Sequence, residues 1–128
     1  MKHLEYDLQV AVCRYLSYQY QDVLFTSDTI ANLKLTKAQA SRNKKIQKNE
    51  FSTPDLLILE PRNGFGGLFI ELKIDTPFKK NGEIKASKDN RLENQLKAIN
   101  LLKQKGYFCC FSWSFDMTKQ IIDDYLKQ

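Results

Sequence analysis

Histidine is almost absent from this 128-residue chain, with His3 alone. A catalytic or metal site built on histidine is therefore excluded. Cysteine is scarce and odd in number: Cys13 and the adjacent Cys109 and Cys110. That is no disulfide framework and has no zinc-ligand spacing, so a reducing cytoplasm is the expected compartment. No apolar run approaches the roughly 18 residues of a membrane span, and no membrane partner is expected. The start, Met1 to Asp7, is polar and charged and does not read as a signal peptide. Repeats and low-complexity stretches are missing too, and residues 1–128 read as a single domain.

What is present is enough for a packed core. Hydrophobic residues make up 42% of the chain, with eight Phe and six Tyr among them. The formal charge is +5, and its placement says more than its size. Lys34, Lys37, Arg42, Lys44, Lys45 and Lys48 follow one another without an acidic residue. Thr36 is a fitting N-cap for a short polar helix there. Such a helix has too few apolar residues to be held by core burial. Its charges suit a phosphate backbone, and they equally suit a solvated loop.

Residues 4 to about 20 carry Leu4, Leu8, Ala11, Val12, Tyr15 and Leu16 at helical spacing. Glu5 and Gln9 sit one turn apart beside that stripe and read as a solvated face unless something draws them inward. A short strand is expected over 23–26, with a turn or cap at Ser27-Asp28-Thr29. Residues 75–90 form a polar loop with Lys79, Lys80, Lys85 and Lys88. A helix over 91–105 starts at Arg91, is capped by Asp89 or Asn90, and stops at Gly106. Its Gln95 lies on the buried side and needs a partner. Residues 107–113 read as a buried strand in which Cys109 and Cys110 are core, and a last helix runs from 115 to about 127. Phe65 and Trp113 read as packing residues.

The informative stretch is Asp55 to Lys73. Leu56-Leu57-Ile58-Leu59 and Leu68-Phe69-Ile70 are apolar runs joined by a turn with Asn63-Gly64. An antiparallel hairpin puts the start of the first strand beside the end of the second. Asp55 then lies next to Glu71 and Lys73, which share a face. A salt bridge at a polar sheet end would use the same residues. Two carboxylates and an ammonium also suit a divalent cation and the water it activates. Without a cation the carboxylates should repel, and at least one should hold its proton.

Pro54-Asp55 … Glu71-Leu72-Lys73 resembles the PD-(D/E)XK nuclease signature. With Glu5 and Gln9 in the first helix, the basic segment, Gln95 and the Gly106-Tyr107 turn, the chain resembles a stand-alone VRR-NUC domain of the phage and bacterial type. Thr53 departs from it, since glycine often precedes Pro-Asp in that family. The resemblance implies an α/β restriction-endonuclease-like core, with a mixed sheet flanked by helices. It implies a metal-dependent DNA endonuclease in a bacterial or phage-infected cell, acting on branched, Holliday-junction or duplex DNA. Asp55, Glu71, the Leu72 carbonyl and Glu5 would hold Mg²⁺ or Mn²⁺. Lys73 would orient water and offset charge, and Gln95 would position Lys73 or a water. The basic segment, the loop lysines and Arg91 would contact DNA. A junction has two strands to cut, which suits a homodimer. The alternative is a catalytically silent DNA-binding module of the same fold.

Overall fold

The computed structural model describes residues 4–27 and 35–127. In chain order the elements are α1 (Leu4–Gln19), β1 (Phe25–Ser27), α2 (Lys37–Lys45), β2 (Leu56–Ile58), β3 (Leu68–Leu72), α3 (Arg91–Gln104), β4 (Phe108–Ser112) and α4 (Phe115–Leu126). The strands lie in the order β1-β2-β3-β4. The first three are antiparallel neighbours, and β3 pairs with β4 in parallel after the α3 crossover. This is an α/β architecture with a mixed sheet. None of the described helices is long and apolar enough to cross a membrane.

The hairpin forms where the sequence expects it. Asn63 (φ 53°) and Gly64 (φ 85°) turn the chain, closed by paired backbone bonds between Arg62 and Phe65. The register sets Leu56 opposite Ile70 and Ile58 opposite Leu68. All five residues of β3 are buried. Alternation then divides them between two cores. Leu68, Ile70 and Leu72 join Val12 and Leu16 of α1 and Ile122 of α4. Phe69 joins Ile99 of α3 with Cys109 and Phe111 of β4. Glu71 shares the parity of Phe69 and so belongs to the α3 side.

Helix ends follow local chemistry. Thr36 and Gln39 form a capping box on α2, which buries no side chain. Gly106 (φ 97°) ends α3: its amide reaches the Lys103 carbonyl, and the Tyr107 amide reaches that of Leu102. This is a Schellman motif.

Several elements differ in detail from what the sequence pattern suggests. Strand β1 starts at Phe25, not Val23, and Ser27 is its last residue rather than a turn. Neither Asp89 nor Asn90 caps α3 through its side chain. Both take left-handed backbone conformations, and Ser87 Oγ accepts from the Leu92 amide at 2.8 Å instead. Within the 75–90 loop, Phe78 bridges Ile84, and both pack on the α3-side core. Leu59 lies beyond β2 and is half exposed, so the apolar run is not buried to its end. Gln9 is buried rather than solvated. Asp28, Thr29 and Lys34 lie outside the described residues.

Candidate metal centre

Asp55 sits one residue before β2, where the ladder to β3 runs out. Its Oδ2 accepts from the Leu72 amide at 2.9 Å and so continues the pairing with a side chain. Its carbonyl accepts from Ser27 Oγ at 2.7 Å. Ser27 Oγ in turn accepts from Gln9 Nε2. Helix α1, strand β1 and strand β3 thus all fix Asp55. From the sequence Ser27 reads only as part of a turn or cap. Only the burial of Gln9, invisible in a short amphipathic pattern, reveals its role.

Glu71 lies on the buried α3 face, 4% exposed. Gln95, 5% exposed, donates from Nε2 to Glu71 Oε1 at 3.1 Å. Burial first, then the charge of Asp55 and a hydrogen bond with it, push the Glu71 carboxyl up to about 9; Lys73 and Arg91 oppose the shift. At neutral pH Glu71 keeps its proton, and the two acids share a hydrogen bond rather than repel. The Oε1 of Gln95 is buried and has no hydrogen-bond partner. An acid pair bridged by a proton, beside an orphaned amide oxygen, is an all-oxygen donor set. It fits a hard divalent cation such as Mg²⁺ or Mn²⁺.

Glu5 does not complete a cluster of acids. Its Oε1 lies 3.9 Å from Lys73 Nζ, and among the described residues no three His, Cys, Asp or Glu side chains converge to hold a metal. Asp55, Glu71 and Gln95 therefore come together, while Glu5 and Lys73 pair at the neighbouring end of β3.

The acid pair floors a cleft of about 730 Å³. One wall carries Asn43, Gln47 and Phe51 from α2 and the segment after it; the other carries Lys88, Arg91 and Asn94. Of the described cations expected at DNA, only Lys88 and Arg91 line this cleft. Lys37, Arg42, Lys44, Lys45, Lys48, Lys79 and Lys80 are exposed, and Lys85 is half-buried. A larger groove, about 1140 Å³, runs along the outer side of α1 past Tyr6, Val10 and Tyr18. It holds no acid pair, so size does not mark the site. The three cysteines are free thiols. Burial raises Cys109 to about 12 and Cys110 to about 11, which suits packing and not nucleophilic work.

No known sequence family matches the chain, and neither does any curated protein. Among solved structures, the fold matches a protein described as a "VRR_NUC domain protein", with a TM-score of 0.63 and 20% identity. The match covers 99% of this chain and 91% of that one. At that identity the likeness is one of fold. The chain has the fold of a VRR-NUC domain protein, an α/β restriction-endonuclease-like core.

Proposed function

We propose that this chain is a nuclease domain of the VRR-NUC type, hydrolysing phosphodiester bonds in DNA with a divalent metal ion. The observation that carries the reading is the buried Asp55–Glu71 pair at the mouth of a hairpin, with the orphaned Gln95 oxygen beside it. A structural salt bridge at a sheet end would have no use for two acids in contact.

Asp55 and Glu71, with the Leu72 carbonyl, would hold Mg²⁺ or Mn²⁺. The bound ion would lower the pKa of a coordinated water and stabilise charge on the phosphoryl group. Loading the site requires Glu71 to release its proton. Gln95 holds one oxygen of Glu71 by its amide and so would orient that carboxylate toward the ion. Lys73 supplies positive charge at the end of β3, where the transition state becomes more negative. Lys88 and Arg91 on one wall, with the exposed lysines of α2 near the other, supply a path for the DNA backbone. Two copies acting together would let both strands of a junction be cut, and branched or Holliday-junction DNA is the proposed substrate.

The test is cleavage of a four-way junction and a linear duplex in Mg²⁺, Mn²⁺ or EDTA, by the wild type and by Glu71→Ala. Metal-dependent cleavage of the junction, lost in the variant, is the expected result. Cleavage that survives EDTA would refute the mechanism. Binding without cleavage in either metal would instead support a silent DNA-binding module.

A further inference from the structure

The chain has eight phenylalanines. Phe25 and Phe115 belong to one core, Phe69, Phe78 and Phe111 to the other, and Phe65 packs on Phe108. Phe51 alone joins neither core and meets no other ring among the described residues. It lies half-buried in the wall of the cleft that Asp55 and Glu71 floor. We propose that Phe51 is the stacking platform for an unpaired base next to the scissile phosphate, and so selects branched over continuous DNA. The proposal rests on the nuclease reading above.

The backbone around Phe51 is fixed from both sides. Its amide donates to the Lys48 carbonyl at 3.2 Å and closes a tight turn. Glu50, just before it, takes a left-handed conformation with φ 59°. Glycine or asparagine is usual there, and a glutamate is strained. Strain of this kind gathers at ligand-binding positions. On the other side Pro54 is fully buried and anchors the chain as it enters β2.

The cleft divides by chemistry. Lys88 and Arg91 on the far wall suit phosphate oxygens. Phe51 offers an aromatic face, and the amides of Asn43, Gln47 and Asn94 offer donors and acceptors to base edges. At about 730 Å³ the cleft is of the size that takes one small-molecule-sized group, and a single nucleotide is such a group. Inside a continuous duplex each base has both faces covered by its neighbours. A base at a branch or a free strand end has a face to spare, and every base has a π face with which to use the ring. Phe51 then favours a structure and not a sequence.

The experiment compares wild type, Phe51→Ala, Phe51→Leu and Phe51→Trp on a four-way junction, a splayed duplex and a continuous duplex. In the branched DNAs an abasic site is stepped across the branch, one nucleotide at a time. Kd is measured in EDTA and kcat/KM in Mg²⁺. For the wild type, one abasic position is expected to weaken binding about tenfold. Phe51→Ala should lose the same factor on intact branched DNA, and the abasic site should then cost it nothing more. Phe51→Trp should keep the wild-type pattern, while Phe51→Leu, which has apolar bulk but no ring face, should behave as Phe51→Ala. Binding of the continuous duplex should stay within about twofold throughout. Losses that multiply when variant and abasic site are combined would overturn the proposal. So would Phe51→Leu matching the wild type, which would make the residue a packing group, or equal losses on branched and continuous DNA. A wild type that neither binds nor cuts any of these DNAs removes the nuclease reading and the proposal with it. A wild type that cuts in EDTA removes the metal mechanism alone, and the abasic series still decides the role of Phe51.

Discussion

Replacing Glu71 by Gln should stabilise the metal-free protein at alkaline pH and remove its response to metal. Glu71 is raised from an ordinary 4.5 to about 9 by burial and by Asp55. Between those values the folded protein holds a proton that the unfolded chain has released. The folded state binds more protons, so stability falls as pH rises through this window and levels off above about 9. At pH 8 the cost is on the order of 3–5 kcal/mol if Glu71 carries all of it. Asp55, Lys73 and Arg91 surround the group, and Asp55 shares the proton, so roughly 2 kcal/mol is a fair recoverable part. A glutamine keeps the shape: its amide can donate to Asp55, and its oxygen can still accept from Gln95. For a chain of this size that gain corresponds to roughly 6–10 °C in Tm. At pH 5 the gain should shrink below about 1 kcal/mol, because the unfolded carboxyl is itself partly protonated there. Calorimetry in EDTA at pH 5 and pH 8 measures both. Saturating Mg²⁺ should then raise the Tm of the wild type, by about 2.7 kcal/mol of stabilisation at a hundred times Kd, and leave the variant where it was. A variant less stable than the wild type at pH 8, or a difference that does not depend on pH, would refute the reasoning.

Lys44→Ala combined with Lys45→Ala should weaken DNA binding and flatten the slope of log K against log salt by roughly 1.8, the share of two phosphate contacts on duplex; an unchanged slope would remove α2 from the binding path. Asp123, buried between α1 and α4, accepts from Tyr15, Tyr20 and Lys119. Burial alone would raise its carboxyl, but these donors hold it at about 2. Asp123→Asn should cost about 1–3 kcal/mol in urea unfolding at pH 7. The wild type should lose this contribution as pH falls from about 4 towards 2, and the variant should show no such loss in that window. Thr36→Ala removes half of the capping box on α2, at a cost of about 1 kcal/mol. Amide exchange should quicken across α2 and stay unchanged in β3. Equal acceleration in both would mean that α2 is coupled to the core.

Much of the centre could be read from Asp55 to Lys73 because strands obey a period of two and Asn63-Gly64 fixes the turn. Once the hairpin is antiparallel, Asp55 must approach Glu71, and the expected rise of one carboxyl follows from that contact. Gln95 could be placed because its helix has a clear apolar stripe. Other features depend on which side of the sheet an element covers, and a linear pattern does not carry that. Glu5 shares a helix face with Gln9, yet Gln9 turns into the Ser27–Asp55 contacts while Glu5 meets Lys73 at the sheet end. Ser87 was overlooked as the cap of α3 because Asp89 and Asn90 are nearer and of the right type. Their left-handed backbone points their side chains away from that duty. Asp123 was missed for a related reason: its partners Tyr15 and Tyr20 lie more than 100 residues away in the chain.

Helix α2 forms without burying a single side chain, and this sets how the protein can change over time. Substitutions at Lys37, Arg42 or Lys44 change the charge of an exposed helix face but leave the pairing of β2 with β3 untouched. Mutations there escape the penalty that keeps most core positions fixed. Under the proposed function, nucleic-acid preference could therefore drift, or be exchanged wholesale by grafting another capped helix between Thr36 and Ile46, while the acid pair and its scaffold stay as they are.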